Sequence, residues 1–329
     1  MSPSTHVKAP ILGTTEPTDV GFMLIPGFAL MSYASAVEPL RAANALSGRE
    51  LYRWWHVTPD DKAVEASNGV TVLPDFAKTK IVAPPALLLV CAGGNPAVYS
   101  NRAVFAWLRQ IARRGVTLGG ISGGPYILAK AGLLAGRRCT LHWEHIPSLR
   151  ENFPDVDVTR SLFEIESDRV TCSGGIAALD MMINLVAQSH GRDLAMAISE
   201  WFVHTDLREG PFPQRMDLRF RHGVGDEKLL RVLALMEDNL ERPVGRDRLA
   251  AMAGISLRQL ERLFNRHLGR GLHSHYLKLR LTRAHKLLQE TSLPITNIAV
   301  ATGFASGSQF SRAYRREFGQ PASGDRMTR

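Results

Sequence analysis

Two stretches in the last third of the chain, LAAMAGISLRQLERLFNRHLG and IAVATGFASGSQFSRAYRREFG, are copies of one pattern. Ser256 falls on Ser306, Leu260 on Phe310, Arg262 on Arg312, Phe264 on Tyr314, Leu268 on Phe318 and Gly269 on Gly319, at an offset of fifty residues. In each copy a short helical run meets a turn at Gly254 or Gly303, and a serine then takes the position that suits the N-cap of a second helix. That is helix-turn-helix grammar, written twice. Between the copies, SHYLKLRLTRAHKLLQE reads as a longer helix, apolar at Tyr276, Leu279, Ala284, Leu287 and Leu288, with Lys278, Arg280, Arg283 and Lys286 around them. Such a rod sets the distance between two reading heads, and this third of the chain is expected to be all-α.

Charge follows the same division. From Asp226 to Arg329 there are 18 Lys and Arg against 10 Asp and Glu, whereas Met1 to Gly225 has 22 against 21. A basic module beside a neutral one points to a polyanion as the partner of the basic part. On the second helix of the first copy, Leu260, Leu263 and Phe264 turn inward. Arg258, Glu261 and Arg262 then face outward from the half that enters a major groove. Arginine makes two parallel hydrogen bonds to guanine, and glutamate accepts one from cytosine. In the second copy the equivalent surface carries Ser308, Gln309 and Arg312, while Arg315 and Arg316 lie further along, where phosphate is the expected contact. The plainer alternative is a helical bundle whose repeated apolar residues only pack. Leu260, Leu263, Phe264, Phe310, Tyr314 and Phe318 are read as core either way.

On ISLRQLERLF, ITNIAVATGFASGSQFSRAYRREFG and the helix between them, Asp226 to Ser323 resembles the DNA-binding domain of AraC/XylS-type transcription regulators. The resemblance implies two helix-turn-helix units in adjacent major grooves on one face of double-stranded DNA. The family's usual ending, a proline followed by a short tyrosine-containing stretch, is only partly present as QPASGDRM, and 324–329 is read as a tail.

Upstream the pattern alternates. VGFMLIPG, YRWWHVTP, ALLLVCAGG and VTLGGIS read as strands. MSYASAVEPLRAANAL reads as a helix with Met31, Ala34, Val37 and Leu40 on one face, and NRAVFAWLRQIARRG as another with Val104, Trp107, Leu108 and Ile111. This order favours an α/β domain, a mostly parallel sheet covered by helices on both faces. The helix PYILAKAGLL, a short strand at CTLHW, a hairpin at LFEIESDRVTCSGG and the helical IAALDMMINLVAQSHGRDLAMAISEWFV complete it. TDLREGPFPQRMDLRFRHGVGD, rich in Pro, Gly and charge, reads as a linker. The expected organisation is a disordered arm at 1–18, a ligand-sensing domain at 19–204, a linker at 205–225, a DNA-binding domain at 226–323 and the tail. No apolar run approaches the roughly 18 residues of a membrane span, and the first residues lack the pattern of a signal peptide. Cys91, Cys139 and Cys172 are too widely spaced for a zinc site or a disulfide framework and are read as buried thiols. The expectation is a cytoplasmic protein with no metal, cofactor or membrane partner.

One motif remains. GGISGGPYILAKAG contains G-x-S-x-G at Gly120 to Gly124, the tight strand-to-helix turn on which many hydrolases expose a nucleophile. On MLIPGFALMSYASAVEPLRAAN, LLLVCAGG, GGISGGPYILAKAGLLAGRRCTLHW and CSGGIAALDMM, the module resembles the PfpI-type branch of the class I glutamine amidotransferase-like superfamily. That family's enzymes place a cysteine at the elbow, a histidine after the next strand and an acidic residue near the first helix. Here Ser122 occupies the elbow, His142 fits the histidine and Ser32 stands about where the glutamate would be. A serine needs a base and an orienting acid to become nucleophilic. Asp155, Asp157 and Asp180 are available, so an amidase or hydrolase using Ser122 and His142 is the alternative reading.

The leading one is a seat for a ligand carboxylate, without catalysis. It is built from the Ser122 hydroxyl, the N–H groups of Gly123 and Gly124 and the start of the following helix, with His142 positioning it. Gly93, Gly94 and the CSGG turn from Cys172 to Gly175, with Ser173, border it, and Trp143, or else Trp54 or Trp55, faces a cationic group. For each aromatic, core packing is the competing reading. The wider resemblance is to fused regulators of arginine, glycine betaine and carnitine use. It implies a small nitrogenous metabolite as ligand and activation of catabolic or transport genes. A homodimer and contact with RNA polymerase are the remaining expectations.

Overall fold

The apolar runs of the first two thirds pair into one sheet in a computed structural model that describes residues 16–81 and 83–327. The chain divides into two compact units, with the break after Gln214. Most of the arm expected at 1–18 lies outside the described residues, and Thr18 already starts the first strand.

The first unit begins β1 (Thr18–Leu24), α1 (Leu30–Ser47), β2 (Tyr52–Val57), the small pair β3 (Val64–Glu65) and β4 (Thr71–Val72), and β5 (Leu87–Ala92). It continues with α2 (Arg102–Arg113), β6 (Thr117–Ser122), α3 (Gly124–Lys130), β7 (Arg138–Cys139), α4 (Ile146–Asn152) and β8 (Asp157–Val158). The hairpin β9 (Phe163–Ile165) and β10 (Arg169–Cys172), then α5 (Ala177–His190) and α6 (Arg192–Trp201), complete it. The six-stranded sheet has the order β2-β1-β5-β6-β10-β9, parallel except for the β9–β10 hairpin. Every residue of β5 and β6 is buried, as strands covered on both faces must be, and the side chains sort into two apolar clusters. One holds Phe22, Leu24, Leu40 and Met181, the other Met23, Leu88, Leu108 and Tyr126.

Three details differ from the sequence reading. Met31 is 61% exposed, and α1 buries Ser32, Ala36, Val37 and Leu40 instead. The expected closing helix is two helices that meet at Gly191. The linker expected at 205–225 is divided between the units. Asp180, 0% exposed on α5, accepts hydrogen bonds from His204 Nε2 (2.8 Å), the Arg208 N–H (3.1 Å) and the Arg208 guanidinium (2.5 and 3.1 Å). A buried carboxylate needs such partners, and supplying them pins the segment to the first unit. Gln214 Nε2 donates to the Leu141 and Ser161 carbonyls at 3.0 and 2.8 Å, which holds the chain there until the break.

The second unit is entirely helical among the described residues: α7 (Leu218–His222), α8 (Glu227–Asp238), α9 (Arg246–Met252), α10 (Leu257–Leu268), α11 (Leu272–Glu290), α12 (Ile295–Ala301), α13 (Gly307–Phe318) and α14 (Ala322–Met327). It has two cores, one per repeat. The domain therefore extends past both expected ends, since α7 precedes 226 and α14 occupies most of the tail expected at 324–329. Burial explains both: Arg221 of α7 pairs with Glu237 of α8, and Asp325 of α14, 9% exposed, is hydrogen-bonded inside the second core.

Candidate functional site

The elbow lies where the topology makes a crevice. From β1 the chain goes to β2 on one side and returns to β5 on the other, so the carboxyl ends of β1 and β5 border a switch point, the usual ligand position in such sheets. Ser122 ends β6 beside it, opposite Ala92 of β5. Its φ of +59° is left-handed, which a residue with a Cβ adopts only when its surroundings enforce it. The neighbours do so. The Ser122 carbonyl accepts from the His142 N–H (3.2 Å), the Gly123 N–H donates to the Ala92 carbonyl (3.1 Å), and α3 packs so close to β5 that a side chain at Gly124 would strike the Val90 carbonyl.

Ser32 and Gly174 close the far wall. The Gly175 N–H donates to Ser32 Oγ at 2.7 Å. A Cβ at Gly174, whose φ is +89°, would stand 2.6 Å from Ser122 Cβ and 2.9 Å from Ser32 Oγ. Cys172 lies underneath, its sulfur accepting from the Ser122 and Gly174 N–H groups. Burial pushes this thiol up to about 12 against the pull of those two donors, so it stays protonated. Burial also raises Cys91 and Cys139, and all three thiols are free and buried, as expected.

Ser122 and Ser173 are 8% and 5% exposed, Gly93 lies against the Gly27 carbonyl and the Ala29 N–H, and Trp143 is partly exposed. The Gly123 N–H is a correction: it is spent on Ala92, because the tight turn brings that carbonyl within reach. The donors remaining are the Ser122 hydroxyl and the Gly124 amide, which opens α3 where N–H groups have no intrahelical acceptor. Among the described residues no hydrogen bond joins the Ser122 hydroxyl to an imidazole or a carboxylate. The His142 ring lies 3.7 Å from Glu144 and beside Trp143 and His145. Asp180 is consumed by His204 and Arg208, and Asp155 and Asp157 are exposed. Sequence reasoning noticed Ser32 only as a missing glutamate, and set the CSGG turn at the border of the site without finding that the Cys172 sulfur takes the Ser122 amide. Both depend on strands and helices far apart in the chain.

In the second unit the sequence pattern carries over closely. Ser256 Oγ accepts from the Gln259 N–H and the Gln259 side chain accepts from the Ser256 N–H, a full capping box at the start of α10. Ser306 Oγ accepts from the Gln309 N–H at the start of α13. Leu260 and Phe264 on α10, and Phe310 and Tyr314 on α13, are 0% exposed. Arg258, Arg262, Ser308, Gln309, Arg312, Arg315 and Arg316 are exposed on the other faces, and none of these five guanidinium groups has a protein partner among the described residues. In the first unit, by contrast, Arg41, Arg53, Arg137, Arg169 and Arg208 are all paired with carboxylates. Glu261 is 3.5 Å from Arg246, and Ser308 Oγ lies 3.1 Å from Ser306 Oγ, so these two already have protein partners.

An α/β sheet domain followed by paired helix-turn-helix units with unneutralised arginines defines a DNA-binding transcription regulator. Comparison with known proteins agrees: residues 20–188 match the DJ-1/PfpI family and 249–327 a helix-turn-helix domain. The HTH-type transcriptional regulator GbdR of Pseudomonas aeruginosa is 44% identical over 312 residues, 95% of this chain and 85% of that one. CdhR of the same organism, also an HTH-type transcriptional regulator, is 44% identical over 308 residues, 94% of this chain and 91% of that one. A crystal structure of an AraC family transcriptional regulator from Pseudomonas putida covers 56% of this chain and all of its own, at 26% identity and a TM-score of 0.51. The chain belongs to the AraC-type transcriptional regulators that carry an N-terminal DJ-1/PfpI domain. No helix among the described residues is long and apolar enough to cross a membrane.

Proposed function

We propose that the first unit senses a small nitrogenous metabolite bearing a carboxylate, held over Ser122, and that binding adjusts how α10 and α13 engage DNA. The observation that carries this is Ser122 itself: a strained, left-handed residue at a crevice, its hydroxyl bonded to no imidazole or carboxylate among the described residues and its neighbour Gly124 offering a helix-start N–H. A nucleophile would need an imidazole or carboxylate within hydrogen-bonding reach, whereas a ligand contact needs only the hydroxyl and its fixed place. Trp143, partly exposed beside His142, suits the ligand's cationic end. The resemblance to arginine, glycine betaine and carnitine regulators supports this ligand class and activation of catabolic or transport genes, with a dimer recruiting RNA polymerase in the cytoplasm.

The test is Ser122→Ala in the full chain, with arginine, glycine betaine and carnitine as probes. Loss of one hydroxyl contact of about 0.5 to 1.5 kcal/mol shifts the dose-response for the active probe to roughly 2- to 13-fold higher concentration and leaves ligand-free DNA binding intact. Mass spectrometry of the probe after incubation separates the two roles of Ser122. Turnover that vanishes in Ser122→Ala returns the protein to the hydrolases.

A further inference from the structure

The repeat does not stop where the helix-turn-helix pattern stops. α11 begins at Leu272 and α14 at Ala322, fifty residues apart, and both residues are buried. Three positions further on, His275 corresponds to Asp325, just as Phe264 on α10 corresponds to Tyr314 on α13. In the first repeat this pair is a ring contact, His275 edge-on to Phe264 at 5.6 Å. In the second it is a polar network. The Tyr314 hydroxyl donates to Asp325 Oδ2 and Gln320 Nε2 donates to Asp325 Oδ1. His285 Nδ1 on α11 lies 2.6 Å from the Tyr314 hydroxyl and 3.2 Å from Asp325 Oδ2.

The bonds are mutually consistent. Gln289 Nε2 stands 2.9 Å from His285 Nε2, so an amide proton donated there leaves the imidazole proton on Nδ1, pointing at Tyr314 and Asp325. Burial, and then Asp325, raise the Tyr314 hydroxyl well above its usual range, which keeps it a donor. The carboxylate accepts from Tyr314 and Gln320, with the His285 ring beside it, and the next residue, Arg326, donates to the Leu293 carbonyl ahead of α12. A satisfied buried network of this kind selects one arrangement of its helices over near alternatives.

Tyr314 lies on the inner face of α13 with Phe310 and Phe318, while Ser308, Arg312 and Arg315 follow one another along the outer face. Fixing Tyr314 therefore fixes the rotation of α13 about its axis, and with it where Arg312 and Gln309 point. We infer that Asp325 is a positioning residue for base reading: by anchoring Tyr314 against His285 it sets the angular phase of α13, and so the specificity of the second unit but not of the first. The inference rests on α13 being a reading helix.

The experiment uses the full chain and an operator duplex enriched from a random library by the wild-type protein. Binding is measured to every single-base-pair variant of that duplex, and Arg262→Ala and Arg312→Ala assign base pairs to α10 and α13. In Asp325→Ala, discrimination at the α13 base pairs falls by about tenfold, the size of one lost bidentate contact, and stays within about twofold at the α10 base pairs. Tyr314→Phe, which keeps the ring, gives a smaller loss at the same base pairs, and Asp325→Asn recovers part of it. Leu277→Ala, which loosens the same core without touching the network, is the control for simple destabilisation. If Asp325→Ala fails to fold, Tyr314→Phe carries the same test. Equal losses at both sets of base pairs, no loss at either, or an equal positional loss in Leu277→Ala overturns the inference. An Arg312→Ala profile without positional effect overturns it too, by removing the reading helix on which it depends.

Discussion

In the first helix-turn-helix unit both nitrogens of the buried His275 ring are without a hydrogen-bond partner among the described residues, while at the matching position of the second unit Asp325 accepts from Tyr314 and Gln320 and lies 3.2 Å from the His285 ring. The turns differ too. The offset between repeats is forty-nine before the turn, as for Leu249 with Ile298 and Gly254 with Gly303, and fifty after it. The second turn fits in Phe304 and Ala305 where the first has Ile255 alone. Phe304 is buried under the Arg280 guanidinium, 4.1 Å from its ring centre, and Arg280 also donates to the Thr302 and Gly303 carbonyls at 2.7 and 2.6 Å. One backbone design is thus closed by apolar contact in one copy and by polar anchoring in the other. Apolar closure tolerates small shifts because it has no direction, whereas a hydrogen-bonded network does not.

The largest effect should come from the apolar side. Phe264→Ala empties a fully buried site in the first repeat and should cost about 3 to 5 kcal/mol in chemical denaturation, whereas Tyr314→Phe removes only a hydroxyl and should cost about 1 to 3. If the two cost the same, the contrast between closures is not energetic.

Next comes pH. Burial, followed by the nearby positive charges of His222 and Arg270, holds His275 down to about 4, with Glu237 pulling the other way. The folded state thus prefers the neutral ring. Its contribution is fully present above the unfolded value near 6.5 and is lost as pH falls from there towards 4. The stability of the second unit should drop by about 2 kcal/mol between pH 7 and pH 5, and His275→Phe should flatten that slope. A profile unchanged in His275→Phe would assign the dependence elsewhere.

Arg262→Ala and Arg312→Ala should each cost about 1 to 3 kcal/mol on the selected operator and little on unrelated DNA. Arg315→Ala should weaken all sequences alike and reduce the salt dependence. Uniform losses for all three would erase the distinction between base readers and phosphate holders. The smallest contrast is at the caps. Ser256→Ala breaks a reciprocal box and should cost about 1 kcal/mol or slightly more, and Ser306→Ala, with a single N–H accepted and Ser308 alongside, should cost less.

Much of this was legible in the sequence because it is local. Serine caps, turn glycines and inward positions four residues apart define α10 and α13 within a dozen residues each, and the unbroken apolar run of β5 declares a strand covered on both faces. The excess of arginine in the last third is likewise countable without coordinates. Tertiary structure decided what depends on distant partners. That Ser32 accepts from Gly175, that Cys172 holds the amide of Ser122, and that Gly123 has spent its N–H on Ala92 follow from how strands converge. Asp180 turned an apparent linker into part of the first unit, and Asp325 turned an apparent tail into the last helix of the second. The segments they hold, TDLREGPFPQ and QPASGDRM, are polar and glycine- or proline-punctuated, which composition assigns to solvent. Only the fold can show that a buried charge has found its donors, because burial depends on the whole chain while periodicity depends on neighbours.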